Sequence, residues 1–241
     1  MRPVDIATNE TYRFVLEHTT SARLRILEIG CGNGELAKLL QADGHDLVAI
    51  DSSPEAVENA KRIGVNAQTA QWPDFENEPF DIVLFTRSLH HMHPLLPALH
   101  HASGLLKGSG LLIVEDFAFS DVHKEAAKWF YRLLSLLDAC GVLLLAEETF
   151  GRELLRGGGA FELWRHHVHE INSADSVLRC INTEFTVQRT YSVPYFYRYV
   201  SQMVEDNESG GEIISRVLEL ERETGEKGTG FFLGRRVVAR R

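Results

Sequence analysis

The sequence contains few cysteines, a minority of basic residues and no long apolar run. The three cysteines, Cys31, Cys140 and Cys180, are odd in number and far apart. Their spacing excludes a disulfide framework and a cysteine-based zinc site, and it predicts a reducing, cytoplasmic compartment. No run approaches the length of a membrane span, and the N-terminus lacks the apolar core of a signal peptide. We therefore expect no membrane partner.

Basic residues are too few for a surface that binds nucleic acid. Lys and Arg total 25 against 34 Asp and Glu, a formal charge of −9 that disfavours a polyanion as partner. We interpret the arginines near the C-terminus as charged strand ends that discourage edge-to-edge pairing; they are Arg235, Arg236, Arg240 and Arg241. The length of 241 residues suits a single large α/β domain over residues 1–241.

One stretch, ILEIGCGNGELAKLL beginning at Ile26, has the pattern of an apolar strand, a turn and a helix. The turn carries Gly30, Gly32 and Gly34, and the next strand, LVAID, ends at Asp51. Glycine lets the backbone approach a ligand without interference from a Cβ atom. A carboxylate after the second strand is placed to accept hydrogen bonds from ribose hydroxyls. The pattern predicts an adenosine-containing cofactor.

Two acidic residues distinguish this turn from that of dinucleotide-binding proteins. Glu35 occupies the place of their third glycine, and Glu28 stands shortly before Gly30. A carboxylate repels a pyrophosphate but suits the ammonium and sulfonium groups of S-adenosylmethionine. The pattern E-x-G-x-G-x-G resembles motif I of the class I S-adenosylmethionine-dependent methyltransferases, and Asp51 followed by S-S-P resembles their motif II. The resemblance implies methyl transfer to a small molecule, with S-adenosylhomocysteine as product.

Two other functions remain open at this point. An NAD(P)-dependent oxidoreductase uses a related open sheet, although Glu28 and the missing third glycine disfavour it. A non-catalytic sensor or assembly protein that binds S-adenosylmethionine would share motif I, because binding and catalysis use the same turn. The sequence does not indicate the oligomeric state.

Strands alternate with helices along the first half of the chain, which predicts βαβ units and a parallel sheet. The resemblance extends this to a Rossmann-like α/β fold: a mostly parallel seven-stranded sheet with helices on both faces, an antiparallel terminal hairpin and helical cap insertions. We expect a cofactor-binding core over 24–116, a helical cap insertion over 117–182, and terminal strands with intervening helices over 183–241. Gly108–Gly110 is interpreted as a turn before a fifth strand that begins at Leu111.

The resemblance also assigns residues to the two polar parts of the cofactor. Glu28 and the three turn glycines are expected to hold the methionine portion. Cys31 is a small spacer within the turn, because methyl transfer needs no covalent enzyme intermediate. Asp51 and Ser52 are expected to contact the ribose.

The adenine contact departs from the family pattern. The family often has an acidic residue near the end of the third strand, and this chain has AQTAQWPDF there. Gln68 and Gln71 are the alternatives, since an amide oxygen can accept from the adenine amino group. We favour Gln71, with Trp72 covering the ring, over the interpretation of both as ordinary loop residues.

The segment after the fourth predicted strand, TRSLHHMH, resembles motif IV of the family. The family places this segment beside the methyl group, so Thr86 and Arg87 are expected to line the donor site. His90, His91 and His93 are candidate general bases, since imidazole titrates near neutral pH. The alternative is a helix-entry element whose histidines hydrogen-bond to backbone.

A second histidine group, HHVHE, offers His166, His167 and His169 as residues of the acceptor pocket. We expect no metal, because this run lacks the HExxH arrangement and the chain lacks a recognisable set of acidic ligands. The aromatic run from Tyr191 to Tyr199 either shapes the acceptor pocket or packs in a core. The acceptor is expected to be an oxygen or nitrogen atom of a small metabolite.

Overall fold

The computed structural model describes residues 1–19, 23–147, 149–157, 159–166, 171–226, 228 and 230–241. The strands are β1 (Arg25–Ile29), β2 (Asp46–Asp51), β3 (Ala67–Thr69), β4 (Phe80–Thr86), β5 (Leu106–Phe117), β6 (Thr186–Val193) and β7 (Gly234–Arg240). The helices are α1 (Pro3–Leu16), α2 (Glu35–Ala42), α3 (Pro54–Arg62), α4 (Leu95–Gly104), α5 (Lys124–Ala139), α6 (Phe150–Arg156), α7 (Ala160–His166), α8 (Ala174–Glu184), α9 (Phe196–Ser201) and α10 (Glu208–Glu226). A single-turn 3-10 helix, Leu89–His91, lies between β4 and α4.

The strands form a seven-stranded sheet in the order β3-β2-β1-β4-β5-β7-β6. The first five strands are parallel, and β7 and β6 complete the sheet in antiparallel orientation. This confirms the predicted Rossmann-like fold class. Because β7 lies between β5 and β6, the interpretation of its arginines as protection of a sheet edge is wrong.

The strand register brings the carboxyl ends of the central strands together. Ile29 of β1 pairs with Ile50 of β2 and with Phe85 of β4. The glycine turn after β1, the last carboxylate of β2 and the last hydroxyl of β4 therefore meet at one edge of the sheet. Open α/β sheets bind their ligands at this edge.

Apolar residues of β1 and β4 alternate between the two faces of the sheet. Leu27 and Val83 belong to one buried cluster, whereas Ile26 and Ile82 belong to the other. Both faces of these strands are covered, which explains their uninterrupted apolar runs. The strand ends that carry the candidate site are thus anchored in the core.

Strand β5 differs from its predicted bounds. It begins at Leu106 rather than Leu111, and the expected turn at Gly108–Gly110 lies within the strand, next to an irregularity in its pairing with β4. A Cβ atom on Gly110 would lie 3.2 Å from the carbonyl oxygen of Asp81 and 2.8 Å from Leu106. It would also lie 3.1 Å from the carbonyl oxygen of Lys107. The pairing passes from Phe80–Leu106 to Ile82–Leu111, so residues 107–110 form a bulge in β5, and Gly110 allows its close packing.

The chain forms two compact units. The helical unit comprises Met1–Ala7, Ala118–Glu170 and Ser192–Gly234, and the sheet unit comprises Thr8–Phe117, Ile171–Tyr191 and Arg235–Arg241. Helix α8 belongs to the sheet unit, where Val177 and Ile181 join the same buried cluster as Leu99 of α4. None of the described helices is long and apolar enough to cross a membrane.

The helical unit has an aromatic core. Phe130 of α5 stacks on Phe196 of α9 with ring centroids 4.7 Å apart. The buried carboxylate of Glu221 accepts hydrogen bonds from the backbone N–H groups of Tyr195, Phe196 and Tyr197, at 2.6, 2.9 and 3.0 Å. Burial raises the pKa of Glu221 to about 7 against the effect of these donors. For Phe196 and Tyr197, core packing explains the aromatic run.

Candidate functional site

The glycine turn after β1 has a backbone that other residues adopt with difficulty. Gly30 and Gly34 have φ values of 77° and 84°. A Cβ atom on Gly30 would lie 2.5 Å from Cβ of Ser88, and one on Gly34 would lie 2.8 Å from Cβ of Ala60. The turn is thus packed between the segment after β4 and helix α3. It is also tied to β2, since the N–H groups of Gly30 and Cys31 donate to the Ile50 carbonyl at 2.8 and 3.0 Å.

Asp51 is held against this turn by both of its carboxylate oxygens. The N–H of Gly32 donates to Oδ2 at 2.9 Å, and the N–H of Ser53 donates to Oδ1 at 2.9 Å. The neighbouring Ser52 is exposed, and Ser53 caps α3 by accepting from Ala56 at 3.2 Å. A carboxylate oxygen accepts more than one hydrogen bond, so Asp51 retains capacity for the hydroxyls of a ligand.

Glu28 is a buried carboxylate with one oxygen uncommitted. It is 1% exposed, and its Oε1 accepts a hydrogen bond from the hydroxyl of Thr86 at 3.0 Å. Its Oε2 is buried and has no hydrogen-bond partner among the described residues. Burial raises the pKa of this carboxyl to about 7. A buried acceptor in this state has capacity for a hydrogen bond from a donor that the described residues do not supply.

Cys31 lies in the turn as a buried side chain. Burial, followed by the charges of Glu28 and Asp51, raises the pKa of its thiol to about 12. A thiol with so high a pKa is a poor nucleophile at neutral pH. The geometry agrees with the expected role of a small spacer.

Arg87 follows Thr86 and has a left-handed backbone with φ 63°, which is uncommon outside glycine. Its guanidinium donates to the Thr11 hydroxyl at 3.4 Å and lies 3.8 Å from Oε1 of Glu115. Glu115 is buried and accepts from Thr11 at 2.7 Å and from Arg236 at 2.6 Å. Arg236, interpreted from sequence as an edge charge, is therefore part of a buried ion pair next to Arg87.

The three candidate bases occupy different environments. His90 is held by the carboxylate of Asp116, which contacts its ring Nδ1 and accepts from its backbone N–H at 2.8 Å. His91 is exposed, and its ring lies 4.0 Å from that of His90; partial desolvation, then the charge of His90, lowers the pKa of His91. His93 is exposed. The pairing of His90 with Asp116 joins residues 26 positions apart, so no local sequence pattern indicates it.

Of the adenine candidates, Gln68 lies within β3, and Gln71 and Trp72 follow that strand. Gln71 and Gln68 are both exposed. Trp72 is half-buried: its Nε1 donates to the carbonyl of Ala98 at 3.2 Å, and its ring packs edge-on against Phe85 with centroids 5.8 Å apart. The proposed adenine contacts of Gln71 and Trp72 stay predictions.

Metal ligands do not converge in the part of the chain that the structure describes, where His, Cys, Asp and Glu form no group of three or more able to hold an ion. Of the second histidine group, His167, Val168, His169 and Glu170 lie outside the described residues, and the backbone of His166 ends α7. Their expected place in an acceptor pocket stays a prediction.

Comparisons with known proteins agree on one family. A family model described as a methyltransferase domain matches residues 9–147. A ubiquinone biosynthesis O-methyltransferase of Azorhizobium caulinodans is 32% identical over 125 residues, which cover 45% of this chain and 49% of that protein. An uncharacterised methyltransferase of Schizosaccharomyces pombe is 27% identical over 123 residues, 46% of each chain. The chain thus spans about half the length of these curated relatives.

Solved structures show the same fold over nearly the whole chain. Magnesium protoporphyrin IX methyltransferase of Synechocystis, with bound S-adenosylhomocysteine, has a TM-score of 0.55 and 15% identity, and the match covers 99% of this chain and 84% of that one. An N-methyltransferase of Bradyrhizobium japonicum, also with S-adenosylhomocysteine, has a TM-score of 0.55 and 13% identity, with coverage of 96% and 86%. At these identities the likeness concerns the fold.

Proposed function

Because this chain belongs to the class I S-adenosylmethionine-dependent methyltransferases, we propose that it transfers a methyl group to an oxygen or nitrogen atom of a small molecule. The observation that carries the proposal is the pair of carboxylates at one sheet edge. Glu28 offers a buried oxygen without a hydrogen-bond partner among the described residues, and Asp51 is fixed by two backbone N–H groups. An NAD(P)-dependent oxidoreductase gains no support, because its phosphates would meet Glu28.

The residues at this edge fit the cofactor part by part. Glu28 would accept from the ammonium of the methionine portion, while Gly30 and Gly34 keep the backbone close to the ligand. Asp51 would accept from the ribose hydroxyls, with Ser52 beside it. S-adenosylmethionine supplies a methyl group that its sulfonium activates. Thr86 keeps Glu28 oriented through their 3.0 Å hydrogen bond.

We propose a small molecule as acceptor and a direct, in-line displacement as reaction. The formal charge of −9 disfavours nucleic acid, and the related proteins named for ubiquinone and for magnesium protoporphyrin IX concern small molecules. The chain's contribution is to align the reacting atoms at about 3–3.5 Å and to exclude water. His90, His91 and His93 are the residues able to receive a proton where the acceptor carries one.

Transfer of a labelled methyl group tests this function. The full chain is incubated with S-adenosylmethionine tritiated on the methyl group and with pooled phenols, alcohols and amines, and separately with transfer RNA and a protein extract. We expect label in the small-molecule pool and its loss in Asp51→Ala. Label confined to the RNA or protein, or label that does not depend on Asp51, would contradict the proposal.

A further inference from the structure

The carboxylate of Asp116 engages His90 in two places at once. Its Oδ1 contacts the ring Nδ1, and its Oδ2 accepts the backbone N–H of His90 at 2.8 Å. The N–H of Phe117 also donates to Oδ1, at 2.9 Å. The side chains of His90 and Asp116 are only 12% and 7% exposed. The imidazole is therefore fixed in position by a buried acid at the end of β5.

This contact determines which ring nitrogen can act as a base. A carboxylate accepts hydrogen bonds, so Nδ1 of the neutral imidazole carries the proton and Nε2 carries the lone pair. When Nε2 takes up a proton, the ring becomes a cation next to Asp116, which stabilises it. Nε2 is thus the ring nitrogen that Asp116 leaves unengaged, while the carboxylate holds the ring through Nδ1.

A purely structural role for Asp116 would need only one of its two contacts with His90. Capping the 3-10 helix Leu89–His91 uses only the hydrogen bond from the His90 N–H to Oδ2. The contact of Oδ1 with the ring is additional to that cap. His91 differs, since it is exposed and its ring only packs on that of His90 at 4.0 Å, whereas Asp116 hydrogen-bonds to His90. The arrangement distinguishes His90 from its neighbour.

We propose that Nε2 of His90 is the general base, that Asp116 is its positioning residue, and that the methyl acceptor is a hydroxyl group. This inference rests on the proposed methyl transfer. The hydroxyl oxygen forms a bond to the methyl carbon, the carbon–sulfur bond breaks with its electron pair going to sulfur, and the hydroxyl proton moves to Nε2. An amine that binds as its free base attacks through its lone pair without losing a proton first, whereas a hydroxyl must lose its proton as the bond to the methyl carbon forms.

The position of the proton is measured without any acceptor. In the full chain labelled with 15N-histidine at pH 8, two-bond 15N–1H correlations are expected to show His90 protonated at Nδ1, its signals identified by their loss in His90→Gln. In Asp116→Asn the amide N–H₂ can donate to Nδ1, so the proton is expected at Nε2. A proton on Nε2 in the wild-type protein would overturn the proposal.

The acceptor class is measured with defined probes, 3,4-dihydroxybenzoate and benzyl alcohol for hydroxyls and benzylamine for amines. His90→Gln and Asp116→Asn are expected to lower hydroxyl methylation at least about 100-fold and to leave the affinity for S-adenosylhomocysteine within about threefold. His100→Gln is the matched control, since His100 pairs with Glu184 at 2.9 Å but is 78% exposed. That variant is expected to retain full activity.

A reaction without proton transfer separates this inference from the proposed function. Methyl iodide and S-adenosylhomocysteine give S-adenosylmethionine and iodide, and this reaction requires the cofactor site but no base. We expect it to survive in His90→Gln and Asp116→Asn. Its absence above the uncatalysed rate in the wild-type protein would overturn the proposed methyl transfer. Its presence together with undiminished hydroxyl methylation in His90→Gln, or with methylation of benzylamine alone, would overturn only the role of His90.

Discussion

Glu28 is a buried carboxyl group, and burial of its ionised form lowers the free energy of unfolding of the ligand-free protein. Burial raises its pKa from 4.5 to about 7. The folded protein therefore binds the carboxyl proton of Glu28 more tightly than the unfolded chain does. The contribution of Glu28 to the free energy of unfolding is complete below pH 4.5 and is lost as the pH rises through 7. An ammonium group at Oε2 would compensate for this loss.

Glu28→Gln is expected to stabilise the ligand-free protein and to weaken ligand binding. At pH 8 the melting temperature should rise by at least about 4 °C, because the buried charge is removed, and at pH 5 the gain should shrink. Affinity for S-adenosylhomocysteine should fall at least about tenfold. Thermal unfolding and isothermal titration measure both effects, with the exposed Glu58→Gln as control. A lower melting temperature for Glu28→Gln at pH 8 would contradict this account.

Arg87 combines a left-handed backbone with a guanidinium that is 40% exposed. The buried Glu115 near it already has a closer cation, because Arg236 lies at 2.6 Å and Arg87 at 3.8 Å. The charge of Arg87 is therefore not required to neutralise Glu115. Backbone strain of this kind occurs at functional sites, which supports the expected place of Arg87 in the donor site.

Arg87→Gln is expected to weaken binding of S-adenosylhomocysteine about tenfold or more, since a guanidinium binds the carboxylate of the amino-acid portion. Binding of 5′-methylthioadenosine, which lacks that portion, should be unchanged. Titration of both ligands into the variant and the wild-type protein measures the difference. Equal losses for the two ligands would show that Arg87 acts on the fold of the site and not on the carboxylate.

In the turn between β1 and α2, glycine is required by close packing as well as by the left-handed backbone. Gly34 and Gly44 both have positive φ values, 84° and 88°. A Cβ atom on Gly34 would lie 2.8 Å from Ala60, whereas one on Gly44 would meet nothing within 4 Å. The two glycines therefore separate the backbone effect of alanine from its steric effect.

Gly34→Ala is expected to destabilise the protein more than Gly44→Ala, by at least about 1 kcal/mol, because only the first displaces helix α3. Denaturant unfolding of both variants gives the difference in free energy of unfolding. Gly34→Ala should also weaken binding of S-adenosylhomocysteine, and Gly44→Ala should not. Equal destabilisation by the two substitutions would contradict the packing argument.

Elements were predictable where the signal was local. The apolar run FDIVLF is sufficient to identify β4, whose observed bounds are Phe80–Thr86. The start of β5 was not predictable, because Gly108–Gly110 has the composition of a turn. Gly110 packs against two carbonyl groups, that of Lys107 in the same bulge and that of Asp81 on the neighbouring strand. Periodicity within one segment carries no information about such an approach between strands.

In the whole molecule, the fold class was predictable, because strand alternation and the glycine turn are contiguous patterns, and the expected roles of Glu28 and Asp51 stay predictions. The sequence did not predict pairs that join distant segments. His90 and Asp116 are 26 residues apart, and Glu115 and Arg236 are 121 residues apart. The first pair depends on β5 lying beside β4, and the second depends on β7 lying beside β5.

Cofactor binding is measured by isothermal titration of the full chain with S-adenosylhomocysteine, with NAD(H) as control ligand and Asp51→Ala as control variant. Because Asp51 is held against the glycine turn and is expected to contact the ribose, we expect micromolar affinity in the wild-type protein, at least about 100-fold weaker binding in Asp51→Ala and no binding of NAD(H). Binding of NAD(H) alone, or an Asp51→Ala affinity within about threefold of wild type, would contradict the account.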